Sequence, residues 1–327
     1  MALIYRINEF ANSRQIDIEK LYSDFLKSKV YELNENDKIG FASLYVTSVC
    51  HLKCIHCHAE ESFTGLISKD ARTEQLIQII NKLSLITNRI QLTGGEIMMR
   101  RDPFSMANDV PFLVAEIDRR DKETIFQTTG MHFTPQLIDW IVSKGVKWVS
   151  LSLDGPDIYT NNIIRKVDKS FSKVVDVIPF LKEAGLLVKV GTVVTELNSD
   201  LNKIIQLGEL LKNLNVDNWK LIQFFPRTAG RASNENKDSL AIENEKFDDI
   251  VLTIKKMFSE DIRISYHTLN DFQNTPALLV QPNGLVTVTV GNNDSLIGNL
   301  LTNNFNDFLN QLRIVKNEIS KNELKTY

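Results

Sequence analysis

The chain has 327 residues, 43% of them hydrophobic, with a formal charge of −3 and a pI near 6.0. That length and apolar content suit one large α/β domain, or such a domain with a smaller appendage, and exclude a disordered chain. The charge balance supplies no basic field for DNA or RNA. The opening MALIYRINEFANSRQ lacks the uncharged core of a signal peptide, and no stretch approaches the ~20 apolar residues of a spanning helix, so the expectation is a soluble, cytoplasmic protein with no membrane partner.

Residues 1–40 form an N-terminal extension whose charged amphipathic segment, 16–30, has no assignable role. From Phe41 onward, short β-branched runs alternate with amphipathic stretches, the pattern of β-α units around a parallel sheet. Strands are expected at 42–48, 88–94, 124–129, 148–154, 187–194 and 218–225, with the continuous apolar character of two-faced burial. Leu76, Ile79, Ile80 and Leu83 recur with helical spacing, as do Phe171, Val174, Val175, Ile178 and Leu181 ahead of Gly185. Pro179 should bend the second of these helices without ending it, since the apolar spacing continues past it. Ser199 reads as the N-cap of a third helix carrying Leu201, Ile204, Ile205 and Leu211. The polar run 230–239 marks a boundary, dividing a barrel over 41–230 from a smaller C-terminal unit over 231–327. Within that unit, 276–290 reads as two strands joined at Pro282-Asn283-Gly284, and 304–319 as a closing helix.

All three cysteines lie in one eight-residue run, Cys50-His-Leu-Lys-Cys54-Ile-His-Cys57, which rules out a disulfide framework and points to a metal. The run follows the first strand, so the thiols sit on a loop at the C-terminal mouth, where barrels place their chemistry. Three thiolates can ligate three irons of a four-iron cluster, leaving the fourth open to a small molecule. Two other readings stay open: a structural zinc completed by His56 or His58, and three buried, unliganded thiols.

The C-x3-C-x2-C run resembles the motif of the radical S-adenosylmethionine (SAM) superfamily; the position before the last cysteine, aromatic in that family, carries the flat ring of His56. Thr93-Gly94-Gly95-Glu96 after the second strand resembles the family's second motif. The resemblance implies a partial (β/α)6 TIM-like barrel, one 4Fe-4S cluster on Cys50, Cys54 and Cys57, and SAM cleaved reductively to a 5′-deoxyadenosyl radical. It implies that Gly94, Gly95 and Glu96 hold the SAM amino group and that Thr129, Ser152 and Asp154 serve its ribose. In the same way Arg165 would pair with its carboxylate, and Val194 would flank its adenine. A reductant such as flavodoxin or ferredoxin is implied as well.

SLDGPDIYTNNIIR and FFPRTAGRA lean toward the peptide-modifying and molybdenum-cofactor-type members. The tail resembles their small SPASM or twitch domain, an α+β unit, yet contains no cysteine for an auxiliary cluster. With every cysteine used once, cysteine-dependent epimerisation is disfavoured, and a carbon-centred rearrangement, bond formation or cleavage is the expectation. The implied substrate is a ribosomally made precursor peptide. The other reading is a small metabolite, for which Gln223 and Arg227, at the end of the sixth strand, would line a mid-barrel pocket.

Overall fold

The computed structural model describes residues 23, 31, 33–57, 70–225, 237–269, 278–290 and 293–323. The segments 16–22 and 24–30, His58 and Arg227 lie outside that set, as do residues 230–236 of the expected boundary.

One sheet organises the chain. Strands β1 (Ala42–Thr47), β2 (Arg89–Gly94), β3 (Glu123–Gln127), β4 (Trp148–Ser152), β5 (Leu187–Val194) and β6 (Asn218–Gln223) pair in chain order, all parallel. Helices α1 (Thr73–Ile86), α2 (Val110–Asp118), α3 (Pro135–Ser143), α4 (Ile158–Arg165), α5 (Lys169–Glu183) and α6 (Leu201–Asn213) connect them. These six strands start and end within two residues of the expected ranges. The resulting mixed α/β sheet, open at its edges, is that of a partial TIM-like barrel.

The core lies between strands and helices. Leu44, Val46, Ile90, Leu92, Phe126, Val149, Leu151, Val188, Val190, Trp219 and Leu221 point to that side and pack with Leu76, Ile79, Ile80, Leu83, Val174, Ile178 and Leu181. Side chains alternate along a strand, so the residues between them, such as Gln91, Gln127, Ser150, Lys189 and Lys220, face the interior of the curved sheet. Pro179 sits within α5, which runs on to Glu183 as its apolar spacing requires. The N-cap of α6 is Asp200, which accepts from the Lys203 amide at 3.0 Å; Ser199, one residue earlier, donates instead to the Glu196 carbonyl. A carboxylate one residue closer to the helix reaches the exposed amides better than the serine does.

After a one-turn helix α7 (Lys237–Leu240), a further helix-strand pair, α8 (Asn244–Phe258) and β7 (Arg263–His267), extends the parallel sheet beyond the six expected strands. The opposite edge is built by the C-terminal segment. There β8 (Leu278–Val280) pairs parallel to β1, and β9 (Leu285–Val290) and β10 (Asn293–Asn299) follow antiparallel. The β8–β9 turn is the one expected: Gly284 has φ +84 and its amide donates to the Gln281 carbonyl at 2.9 Å. The closing helix α9 (Phe305–Glu323) returns to the start of the described chain, where Arg313 forks onto Asp37 with Nε–Oδ1 2.7 Å and Nη2–Oδ2 2.8 Å.

Candidate active site

The three cysteines occupy the loop that leaves β1, and the way this loop is held explains the glycines of the second motif. Gly95 donates its amide to the Thr47 carbonyl and Glu96 its amide to the Val49 carbonyl, both at 2.8 Å. The two chains run so close that a Cβ at Gly94 would stand 2.4 Å from the Thr47 oxygen and one at Gly95 only 2.1 Å from that of Val49. Gly94 also has φ +130, a region closed to most side chains. The glycines thus admit the backbone of the cysteine loop.

Glu96, fully buried, accepts from Thr128 Oγ1 (2.7 Å), the Thr129 amide (2.7 Å) and the Met98 amide (3.1 Å). It therefore ties the β2 loop to the end of β3. Beneath the cysteine loop, buried Asp70 accepts from Thr47 Oγ1 at 2.5 Å and from Ser48. Fully buried Arg100 bonds Asp109 and the Val46 carbonyl. The mouth is thus set by matched hydrogen bonds on groups that would be costly to bury alone.

Asp154 is the centre of a second network. Its Oδ1 accepts from the Val193 amide at 2.9 Å, and its Oδ2 lies 3.0 Å from His56 Nε2 and 2.6 Å from Arg165 Nε. Burial by itself raises a carboxyl; here Arg165 and His56 overturn that effect and hold Asp154 at about 2. The Arg165 Nε contact is an ion pair without hydrogen-bond geometry, while Nη1 reaches Cys54 Sγ at 3.7 Å. Nη2 has no protein partner among the described residues. Arg165 thus connects the fourth strand's carboxylate to the middle cysteine.

The thiols themselves call for a cation. Burial, opposed by the Leu52 amide and aided by the neighbouring Cys54, Glu96 and Cys57, pushes Cys50 up to about 12. Cys54 is likewise raised by burial, with Arg165 pulling the other way. Buried thiols such as Cys50 and Cys54 are poor thiolates alone and good ones around a positively charged metal group. The donor set fits an iron–sulfur cluster on that ground. Among the described residues, no three His, Cys, Asp or Glu side chains are gathered around a single ion, and His56 Nε2 is engaged by Asp154.

The other expected residues fall as follows. Ser152 ends β4 on the interior face, in register with Gly191, and Thr129 is half-buried at the end of β3. Val194, expected beside a ligand, is fully buried on the helix side; strand alternation gives the mouth to Val193, which, like Ile55 of the cysteine loop, packs against Phe224 and Leu240. Gln223 likewise does not line the interior. It is buried against the α8 start, its Nε2 2.7 Å from Asn244 Oδ1. Sequence reasoning missed Thr128, Asn161 and Asn198, which bind Glu96 or the Asp154 backbone. It also missed His51, lodged between the sulfurs of Met99 (3.2 Å) and Met131 (2.7 Å). Only His51 carried a signal, its place directly after Cys50.

This geometry agrees with sequence comparison. The profile of the radical SAM superfamily matches residues 44–207, half of the chain, and the chain belongs to that superfamily of enzymes. The "AdoMet-dependent heme synthase" of Nitratidesulfovibrio vulgaris is 28% identical over 192 residues, 58% of this chain and 48% of that protein. The "GTP 3',8-cyclase" of Marinobacter nauticus is 27% identical over 216 residues, 65% of this chain and 62% of that one. The chain spans about half the length of the heme synthases it matches. Among solved structures, Streptococcus suis SuiB bound to S-adenosylmethionine superposes with a TM-score of 0.62 at 14% identity, over 83% of this chain and 65% of SuiB. That likeness is one of fold. Among the described residues no helix is long and apolar enough to cross a membrane.

Proposed function

We propose that Cys50, Cys54 and Cys57 hold one 4Fe-4S cluster and that the chain cleaves SAM reductively to modify a ribosomally made precursor peptide. The observation that carries the chemistry is the joining of the two loops: the Gly94–Glu96 segment is bonded to the backbone that delivers the cysteines, while Arg165 reaches Cys54 from the other side. When bound, cluster and SAM supply a 5′-deoxyadenosyl radical that takes a hydrogen atom from a substrate C–H.

The chain's own residues hold and orient. Gly94, Gly95 and Glu96 serve the SAM amino group, and Thr129, Ser152 and Asp154 its ribose side. The Nη2 of Arg165, which Asp154 aims, serves its carboxylate. Val193, in place of Val194, flanks the adenine. The strands bearing Ser150 and Lys189 enclose the substrate and keep water from the reacting atoms. A flavodoxin or ferredoxin class of protein supplies the electron.

The domain division follows the same reading, with an extension over 1–40, the barrel over 41–230 and a cysteine-free twitch-like unit over 231–327. A peptide substrate is favoured because SuiB, of like fold, has been solved bound to the precursor peptide SuiA, superposing on 94% of this chain with a TM-score of 0.60.

Anaerobic reconstitution with iron and sulfide, dithionite reduction with SAM and chromatography of the products test this reading. Cluster absorbance with 5′-deoxyadenosine, both lost in Cys54→Ala, is the expected result. Tightly bound zinc and no SAM cleavage would overturn it.

A further inference from the structure

We infer that Gln91 of β2 and Gln127 of β3 form an amide-reading subsite on the interior of the sheet, and that the substrate presents there an amide edge, an N–H donor beside a C=O acceptor. This rests on the reading above that the interior receives the substrate.

The placement follows from alternation and register. Ile90 and Leu92 of β2 and Phe126 of β3 are fully buried in the core, so Gln91 and Gln127 point to the opposite face. Gln91 is in register with Ser43 on one side and Ile125 on the other. Gln127, two residues beyond Ile125, is its diagonal neighbour and is itself in register with Ser150 of β4. The two side chains meet: Gln91 Nε2 donates to Gln127 Oε1 at 2.6 Å and to Ser43 Oγ at 3.3 Å. Thr93 stands two residues further along the Gln91 face, about 7 Å at the rise of a strand, and leads into the Gly94–Glu96 loop. The pair therefore lies just below the end of the sheet where SAM is placed above, close to the C–H to be attacked.

A carboxamide carries two N–H donors and one carbonyl oxygen. Gln91 commits both donors, to Gln127 and Ser43, and among the described residues its Oε1 has no partner; Gln127 commits its oxygen to Gln91, and its Nε2 has no partner there. Turning both carboxamides over exchanges the roles and leaves the same surplus, an oxygen on one residue and an NH2 on the other. The Ser150 hydroxyl beside Gln127, which both donates and accepts, is likewise without a partner among the described residues. A substrate that fills the interior takes these half-buried groups out of water, and each one left unmatched weakens its binding. A hydrocarbon matches neither the oxygen nor the NH2, and a bare carbonyl matches only the NH2. An amide edge matches both. One residue of an extended peptide carries its N–H and C=O on the same side, as in the antiparallel pairs that exchange both bonds; a cyclic lactam carries them on one edge of its ring.

The test is saturation-transfer difference NMR, observed on the probe, with the full-length, reconstituted protein. N-acetylglycine N-methylamide offers the edge of one peptide residue and 2-pyrrolidinone that of a lactam, while N-acetylsarcosine N,N-dimethylamide keeps the carbonyls and lacks every N–H. A signal from at least one of the first two is expected, about tenfold weaker from the third and about tenfold weaker in Gln127→Glu. That variant keeps the size of the side chain and its acceptor for Gln91 but removes the NH2. Gln127→Met removes donor and acceptor together and should lose the signal too, with iron content and circular dichroism as in wild type for both variants. Signal from the glycine probe alone assigns a peptide backbone, from pyrrolidinone alone a lactam, and from both the shared edge. No signal from either amide probe, equal signals from all three, or equal signals in wild type and the variants overturn the inference. Because the signal needs no SAM cleavage, a Gln127-dependent signal in a protein that cannot cleave SAM would fail the radical reading alone, and 5′-deoxyadenosine without that signal would fail this inference alone.

Discussion

At the C-terminal mouth, Asp154 meets Arg165, His56 and the Val193 amide; in the N-terminal half of the same sheet, Lys189 lies diagonal to Lys220 and has no hydrogen bond or ion pair among the described residues. The buried carboxylate at the mouth is matched within the chain, while Arg165 Nη2 is left without a protein partner among the described residues. The contrast is between a bonded network at the mouth and a half-buried ammonium further down the same sheet.

Substitutions at the two regions should accordingly differ in kind. The largest effect is expected from Gly95→Ala. With a Cβ 2.1 Å from the Val49 oxygen, the two loops cannot close, and iron content after reconstitution should fall to background while circular dichroism stays that of an α/β fold. Full iron loading in this variant would show that the loop clamp is dispensable.

Asp154→Asn comes next, since it leaves a buried guanidinium without its anion. We expect a loss of about 3–5 kcal/mol in urea unfolding. The pH dependence has a definite sign. Asp154 is held at about 2, below the ordinary 3.8, so its stabilising contribution is present above pH 3.8 and is lost as the pH falls through 2. The stability difference between wild type and Asp154→Asn should shrink over that window.

Arg313→Ala serves as a scale for a half-buried pair. Losing the fork onto Asp37 should cost about 2–3 kcal/mol without changing iron content.

Lys189→Met should do least to the fold and sharpen the contrast most. Its ammonium is depressed from 10.5 to about 8, so the unfolded chain binds more protons between those values and wild-type stability should rise with pH across them. The variant should lack that rise and be no less stable than wild type at pH 7. A destabilised Lys189→Met would mean that the lysine serves packing.

Much of this was legible in the sequence, and the reasons for the rest are physical. Six parallel strands were readable because apolar and β-branched residues recur along them, although the continuous apolar run expected gives way in most of them to alternation, with Gln91, Gln127, Lys189 and Lys220 on the interior face. Arg263–His267 was not, since an edge strand with Arg263 and Tyr266 exposed carries no such pattern; β10, NDSLIGN, is polar for the same reason. The cysteine and Gly-Gly-Glu motifs were readable because their chemistry is local. The partners of Glu96 and Asp154 were not: Thr128 and Asn198 lie 32 and 44 residues away, and only the sheet brings them together. Lys189, one residue among the valines of LVKVGTVV, reads as a strand position until its place diagonal to Lys220 is known.

The central claim is that three cysteines hold a cluster with one iron open to SAM. Electron paramagnetic resonance of the dithionite-reduced, reconstituted protein tests it most directly. A reduced-cluster signal that changes shape when SAM is added, and that is absent in Cys54→Ala, is the result expected. A signal indifferent to SAM, or a silent protein carrying stoichiometric zinc, would contradict it.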